Sequence, residues 1–510
     1  MVRPLAVLAP LALALGAAPA AVAQDSTLAL RPQPAATLSL DEAMEQARRN
    51  SPAYRQTLND AGPARWAVRN AYGSFLPSLQ VLGGLSYTGS GQSQFGAFFN
   101  ETSPFWGSNY QIGFQWQLDG RTLAAPGQQK ALQRATEQDI EGAGVALRFD
   151  ITSQYLTAAG AVAQTEVARE QVRRNAEFLR LAQARYQVGQ ATLLDVRQAE
   201  ATRGASEVAL LRAFQAENEA KLELFRRMGV VPPTPVEQIS LSDSFPITPP
   251  QYQLEELVRL AEDQNPSLRA LRERETAASS GVRAARSEFF PRLSAQAGWA
   301  GFTQQYTNTN QLIQQQLQSA QTQASQCQFD NQVRAGLNLG GTNPDCFGSF
   351  GLDPTGTALE PATAQGIRDR NNVFPFSFQG QPFQASLTIS LPIFTGFGRS
   401  LRLAQARAAQ QDADENVRAQ ALQVRANVHA RWLALQTAYR AIGIQDTSRA
   451  AAREQLRLAQ DRYRVGIGTA LDVADAQNAV QRAEGDYVNA VYDYHRAIAA
   501  LEAAVGRTLR

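Results

Sequence analysis

Few residues in this chain have the type and spacing to do covalent chemistry. The two histidines, His429 and His495, lie in long helical runs with no serine or cysteine constellation beside them, so neither is set up as a general base. Cys327 and Cys346 are the only cysteines. Zinc would need further ligands close by, and none are evident, so neither a metal nor a cofactor is expected. In an oxidising compartment the pair reads instead as a disulfide closing a loop. Asp195 and Asp472 each stand three residues after a threonine, Thr192 and Thr469. That is the spacing of a capping box, in which the hydroxyl takes a free amide of a new helix and the acid reaches back to the cap. Asp475 follows Asp472 by three residues, which puts both carboxylates on one helix face. These acids offer capping and surface charge rather than acid–base catalysis, and the chain is not expected to be an enzyme.

The elements that carry them occur twice. Residues 179–200, LRLAQARYQVGQATLLDVRQAE, return at 456–477 as LRLAQDRYRVGIGTALDVADAQ, 277 positions later without a gap. In each copy a run of helix formers stops at a glycine, Gly189 or Gly466, where a left-handed residue ends a helix easily. The threonine cap then opens the next helix, so each copy is a helix–turn–helix tip. Upstream, Leu40, Ala47, Pro52, Phe75, Pro77 and Leu79 match Leu254, Ala261, Pro266, Phe289, Pro291 and Leu293, each pair 214 apart. The chain is therefore an internal duplication. Its expected divisions are a first repeat over 24–229, a proline-rich linker over 230–252 and a second repeat over 253–510.

Composition removes other classes. Among 510 residues, 44% are hydrophobic and the net charge is +2, with no basic cluster interleaved with aromatics, so a nucleic-acid partner is not expected. Arg3, an apolar run over 5–18 and Ala21-Val22-Ala23 have the layout of an export signal over 1–23. That run is broken by prolines and is short of the ~20 residues a spanning helix needs. No later run is long enough either, so entry into a membrane would have to be by strands.

Four segments alternate apolar and polar residues over about ten positions, the length of a tilted membrane strand: about 79–89, 110–118, 293–302 and 383–394. Between the strands of each pair lie polar stretches, and the second, 303–376, carries 62 extra residues and both cysteines. After each pair comes a helical run of 66 or 67 steps, ending at Val188 and Val465. At 1.5 Å per residue each is ~100 Å long. Their apolar positions form a narrow seam suited to coiled-coil pairing. The return helices, about 192–228 and 469–505, are half as long, so the helices of 40–74 and 254–288 are expected to flank the remainder, end to end. Four strands cannot close a barrel, and an open sheet in lipid leaves its edges unpaired. Several copies must contribute, and two would give eight strands, three would give twelve.

The duplicated Tyr-x-Val-Gly-x-x-Thr-x-Leu-Asp-Val tips, the Phe-Leu-Pro-Ser-Leu79 and Phe-Phe-Pro-Arg-Leu293 entries into strands, and the Leu-Pro-Ile-Phe-Thr-Gly396 exit resemble the TolC-type outer-membrane efflux proteins over nearly the whole sequence after the signal. The resemblance implies a homotrimer of mixed α and β class, with four transmembrane strands per chain and twelve per barrel, continuous with a periplasmic α-helical barrel of coiled coils. It implies a passive exit duct contacting outer-membrane lipid, a periplasmic adaptor and an inner-membrane pump of the RND or ABC class. It further implies that Asp472 and Asp475 ring the periplasmic gate and that Asp195 and Tyr463 hold the tips closed. Adaptor contact is expected at Val188, Gly189, Val465 and Gly466, where a small exposed turn allows close approach. Where some relatives place a basic residue two positions after the tip glycine, this chain has Gly468. The competing class is an exported trimeric coiled-coil adhesin with a barrel anchor, which would carry one anchor segment and a terminal stalk rather than duplicated strands and hairpins. A simple porin would leave ~100 Å of helix without a purpose.

Overall fold

The computed structural model describes residues 36–95, 98–337 and 340–509, with side chains of 92–102 left aside. The expected export signal lies outside the described residues. The chain runs β1 (Thr37–Leu38), α1 (Leu40–Asn50), α2 (Pro52–Asn59), α3 (Ala61–Gly73), β2 (Ser78–Thr88), β3 (Gly91–Phe95), β4 (Phe98–Thr102), β5 (Phe105–Leu118), α4 (Gly120–Gln187) and α5 (Leu193–Met228). It continues as β6 (Ser240–Leu241), α6 (Leu254–Gln264), α7 (Pro266–Ser287), β7 (Arg292–Tyr306), α8 (Asn310–Gly336), α9 (Pro361–Asn371), β8 (Gln379–Gly380), β9 (Gln384–Ser390), α10 (Gly398–Arg464) and α11 (Ala470–Val505).

The four long strands form one antiparallel sheet in the order β2-β5-β7-β9. Its register sorts the residues by face. Leu79 lies opposite Phe114, which lies opposite Ala297, and Val81, Ile112 and Trp299 form the next such row. One step along, Gln80, Gly113 and Gly298 share the other face, as do Ser78, Gln115 and Gln296. Leu79, Val81, Leu85, Leu387 and Ile389 are all exposed, so no helix covers the apolar face. An exposed apolar face backed by glutamine, serine and glycine suits lipid outside and water inside. The β2 and β9 edges have no partner within the described residues. No described helix is long and apolar enough to cross a membrane.

Strand limits differ from expectation in three places, one of them β7, which runs to Tyr306 rather than 302 because its ladder to β5 continues. β5 begins at Phe105 rather than 110, because Phe105 to Asn109 continue the ladders to β2 and β7. β9 covers only 384–390 of the expected 383–394, because Pro382 and Pro392 bracket it and neither can donate to the ladder.

The region expected as a polar loop, 303–376, contains two helices. Ile313, Leu317, Ala320 and Ala324 make a one-sided apolar stripe along α8, which packs with Phe347, Leu352, Leu359, Ala364 and Ile367 in a small core of its own. Cys327 on α8 is bonded to Cys346, with Cα atoms 5.6 Å apart. This knob is tied to the sheet through Asn371, whose side chain accepts from the Tyr306 amide at 2.9 Å and donates to the Tyr306 carbonyl at 2.8 Å.

The helices of 40–74 and 254–288 are broken. Proline disfavours helical backbone in the residue before it, so α1 stops at Ser51-Pro52 and α6 at Asn265-Pro266, where the Asn265 side chain caps α7 by accepting from Ser267 and Leu268. Of 68 and 67 residues, α4 and α10 run ~100 Å. α5 and α11 flank their lower halves. Above, α7 of the second repeat packs between α4 and α10, with α3 against α4 and α6 against α10. The flanking is thus shared between repeats instead of closed within each.

The duplication also survives in single bonds. Tyr155 donates to the Leu38 carbonyl at 2.8 Å, and Trp432 donates to the Tyr252 carbonyl at 3.2 Å. Tyr155 and Trp432 are matched by the 277 offset, Leu38 and Tyr252 by the 214 offset.

Candidate functional site

The two hairpin tips carry the candidate residues, and their backbones close in the same way. In the first, Gly189 takes φ +77° and donates to the Tyr186 carbonyl at 3.0 Å, while Gln190 donates to the Arg185 carbonyl at 2.8 Å. In the second, Gly466 takes φ +84° and donates to the Tyr463 carbonyl at 3.1 Å, with Ile467 donating to Arg462 at 3.0 Å. A side chain with a Cβ is strained at such φ, which is why both turns use glycine. Each following helix opens with a complete capping box. Asp195 donates its amide to Thr192 Oγ1 at 3.2 Å and accepts the Thr192 amide at 2.8 Å; Asp472 does so with Thr469 at 3.1 and 2.9 Å.

The acids of the second tip differ in their commitments. Asp472 is exposed, and the Thr469 backbone N–H, then the Thr469 hydroxyl, then the charge of Arg462 hold its carboxyl below the usual range. Asp475 is exposed and makes no hydrogen bond or ion pair among the described residues. Around it Val473, Ala474, Ala476 and Gln477 are buried against the hairpin, so Asp472 and Asp475 share the free face of α11. Val188, Leu194, Val465, Ile467 and Leu471 are exposed at the turns, an aliphatic end surface around Gly189 and Gly466.

The hairpins are joined by a shared core of Phe178, Leu179, Val196, Leu456, Tyr463, Val473 and Val480. Tyr463 is only 3% exposed, lies 5.4 Å from the Phe178 ring, and has a hydroxyl with no hydrogen-bond partner among the described residues. Burial first, and then the charge of Asp195, push that hydroxyl's pKa up. Asp195 and Tyr463 are not hydrogen-bonded to each other within the chain; both hydrogen bonds of the Asp195 carboxylate go to Thr192. At the tips the bond between hairpins comes from Arg185, which the sequence reading did not single out. Its guanidinium sits 4.7 Å over the Tyr463 ring, donates to the Tyr463 carbonyl and donates to the Gln190 carbonyl at 3.2 Å. A signal for it was present, since each tip carries an Arg-Tyr pair, Arg185-Tyr186 and Arg462-Tyr463, in register.

Elsewhere, His495 is buried with Nε2 3.2 Å from the Phe245 carbonyl, and the His429 ring lies tilted with its centroid 6.4 Å from that of Trp432. No group of metal-binding side chains occurs among the described residues. A largely apolar depression lined by Phe114, Trp116, Ala297 and Leu387 lies on the apolar side of the sheet.

The pattern of the outer membrane efflux protein family matches residues 43–230 and 362–507. Outer membrane protein OprJ of Pseudomonas aeruginosa strain PAO1 is 28% identical over 269 residues, 50% of this chain and 53% of OprJ, so the match spans about half the length of that relative. The fold is that of the outer-membrane channel OprN, with TM-score 0.66 and 19% identity over 92% of this chain and 89% of OprN. It is equally that of the outer membrane protein VceC of Vibrio cholerae, with TM-score 0.65 and 19% identity over 92% of this chain and 97% of VceC. The chain belongs to the outer membrane efflux protein family, of TolC type, and resides in the outer membrane with its helices extending into the periplasm.

Proposed function

We propose that three copies of this chain form a passive exit duct, fed by an inner-membrane pump of the RND or ABC class through a periplasmic adaptor. The observation that carries this reading is the continuity of sheet and helix. β5 ends at Leu118, and Asp119 at once caps α4 by accepting the Thr122 amide at 2.8 Å, so the wall of the sheet becomes the wall of the helical layer without a linker. Three four-stranded sheets would close twelve strands around a lumen lined by the glutamine and serine face, whereas eight strands would leave an interior filled by side chains. Exposed Val208 and Leu211 on α5 and Ile444 and Leu458 on α10 supply apolar flanks for neighbouring copies.

Opening is assigned to the tips. Asp475, displayed without a partner among the described residues, contributes one carboxylate per copy to a ring at the periplasmic entrance, and Asp472 contributes a second whose first task is to cap α11. Such a ring favours cations and slows anions. The exposed turn at Val188-Gly189 and Val465-Gly466 is the adaptor surface. No chemical step is assigned to any residue.

The reading is tested in cells and by assembly. Deleting the gene is expected to lower tolerance to at least one exported compound, and the purified protein is expected to run as a trimer that binds an adaptor captured by crosslinking. A deletion strain with unchanged tolerance across toxic organic compounds and metal ions, together with a monomeric purified protein, would contradict it.

A further inference from the structure

The internal duplication makes a specific demand on the assembled ring. Within one chain the lower helices lie in the order α5, α4, α11, α10, so that the first hairpin meets the second where α4 touches α11. At that junction Arg185, at the end of α4, reaches across to stack on Tyr463 and bond its carbonyl. A ring built from this duct reading has a second kind of junction, where α10 of one copy meets α5 of the next. Advancing by one repeat carries Arg185 onto Arg462 and Tyr463 onto Tyr186, since both pairs are 277 apart.

The two halves of that second contact are present and do not meet within the chain, where the charge of Arg462 acts on Asp472 without a hydrogen bond or ion pair. Arg462 is exposed, and its guanidinium makes no hydrogen bond or ion pair among the described residues. The neighbouring Arg457 and Arg464 are different, each paired to Asp461 at 2.9 Å. Tyr186 is 46% exposed where its counterpart Tyr463 is 3% exposed. The Tyr186 carbonyl already accepts Gly189 at 3.0 Å, as the Tyr463 carbonyl accepts Gly466 at 3.1 Å, and a carbonyl oxygen has a second lone pair free for a guanidinium. On this basis we infer that Arg462 of each copy stacks on Tyr186 of the next copy and donates to its carbonyl, closing the ring between protomers as Arg185 closes it within them.

The two junctions are not equal. Phe178 packs on Tyr463 inside the chain, but the residue one repeat on is Gln455. The junction between copies therefore lacks the aromatic backing and is the one that parts first when the entrance widens. Arg462 is a positioning residue for the gate: it touches no cargo and acts by holding Tyr186.

The inference rests on the duct reading, and the test separates the two. Tyr186→Cys combined with Arg462→Cys, treated in membranes with a short bis-maleimide, is expected to give covalent dimers and trimers on a denaturing gel. Arg185→Cys combined with Tyr463→Cys calibrates the reagent, since it spans the observed contact and is expected to react within one chain and run as monomer. In planar bilayers Arg462→Ala is expected to raise the open probability by about tenfold, the worth of one charged hydrogen bond, with Arg462→Lys in between because an ammonium keeps the charge and loses the planar stack. An intact trimer on a native gel whose Tyr186–Arg462 pair stays monomeric, while the calibrating pair reacts, overturns this contact and leaves the duct standing. Equal open probability for wild type and Arg462→Ala also overturns it. A protein that is monomeric on the native gel overturns the duct reading and this contact together.

Discussion

The two hairpin tips share a backbone and differ in what surrounds it. Both have a left-handed glycine, a threonine cap and a reciprocal aspartate, with matching hydrogen bonds within a few tenths of an ångström. Yet Tyr463 is buried beneath Arg185 while Tyr186 stands exposed, and Asp475 of the second tip replaces Gln198 of the first. What the copies share builds the turn. Where they differ, the second tip has been given a charged face and the first a bridging arginine. Within the chain the first tip uses that scaffold to bridge to the second, and in the duct we propose the second presents Asp475 to the entrance.

The largest difference between the tips is expected at the tyrosines. Tyr463→Ala removes a buried ring from the core that joins the hairpins and strands Arg185, so the tips are expected to lose ~3–5 kcal/mol of local stability. Tyr186→Ala should cost about 1 kcal/mol, the scale of one exposed cation–π contact. Amide exchange at the tips measures both, and equal effects would contradict the asymmetry. The caps should behave alike instead. Thr192→Ala and Thr469→Ala are each expected to cost about 1 kcal/mol, read from exchange in the first turns of α5 and α11; a much larger effect at one tip would show that the shared turn is not equivalent in the two places. Smaller still is the dependence on pH. The folded Asp472 has a lowered pKa, so its contribution to the cap is full above the ordinary value of 3.8 and is lost as pH falls through the lower folded value. Exchange at the Thr469 and Asp472 amides, the two that the capping box engages, should therefore stay slow down to about pH 4 and quicken only in stronger acid.

Much of the architecture could be read from residue patterns because those patterns repeat. Leu79, Val81 and the Tyr110–Leu118 alternation gave the faces of the sheet, and Gly466 with Thr469 and Asp472 gave the turn. Three things escaped. The α8–α9 knob was hidden because Ile313, Leu317, Ala320 and Ala324 lie at helical spacing among glutamines, which read as a polar loop when hydrophobicity is averaged. The placement of α7 between α4 and α10 is a matter of tertiary exchange between repeats and leaves no local pattern. Arg185 escaped because a long basic side chain on a polar helix usually points to water; only its partner's burial shows that it turns inward.

In the duct we propose, the free face of α11 forms the entrance, with Asp475 as its charge. Conductance of the purified trimer in planar bilayers tests this most directly, comparing wild type with Asp475→Asn, a change to an exposed side chain expected to alter stability by under ~0.5 kcal/mol. The expected result is a small cation-biased conductance blocked by divalent ions in the wild type, with the bias reduced and the block relieved in the variant. Unchanged conductance, selectivity and divalent block in Asp475→Asn would contradict the account.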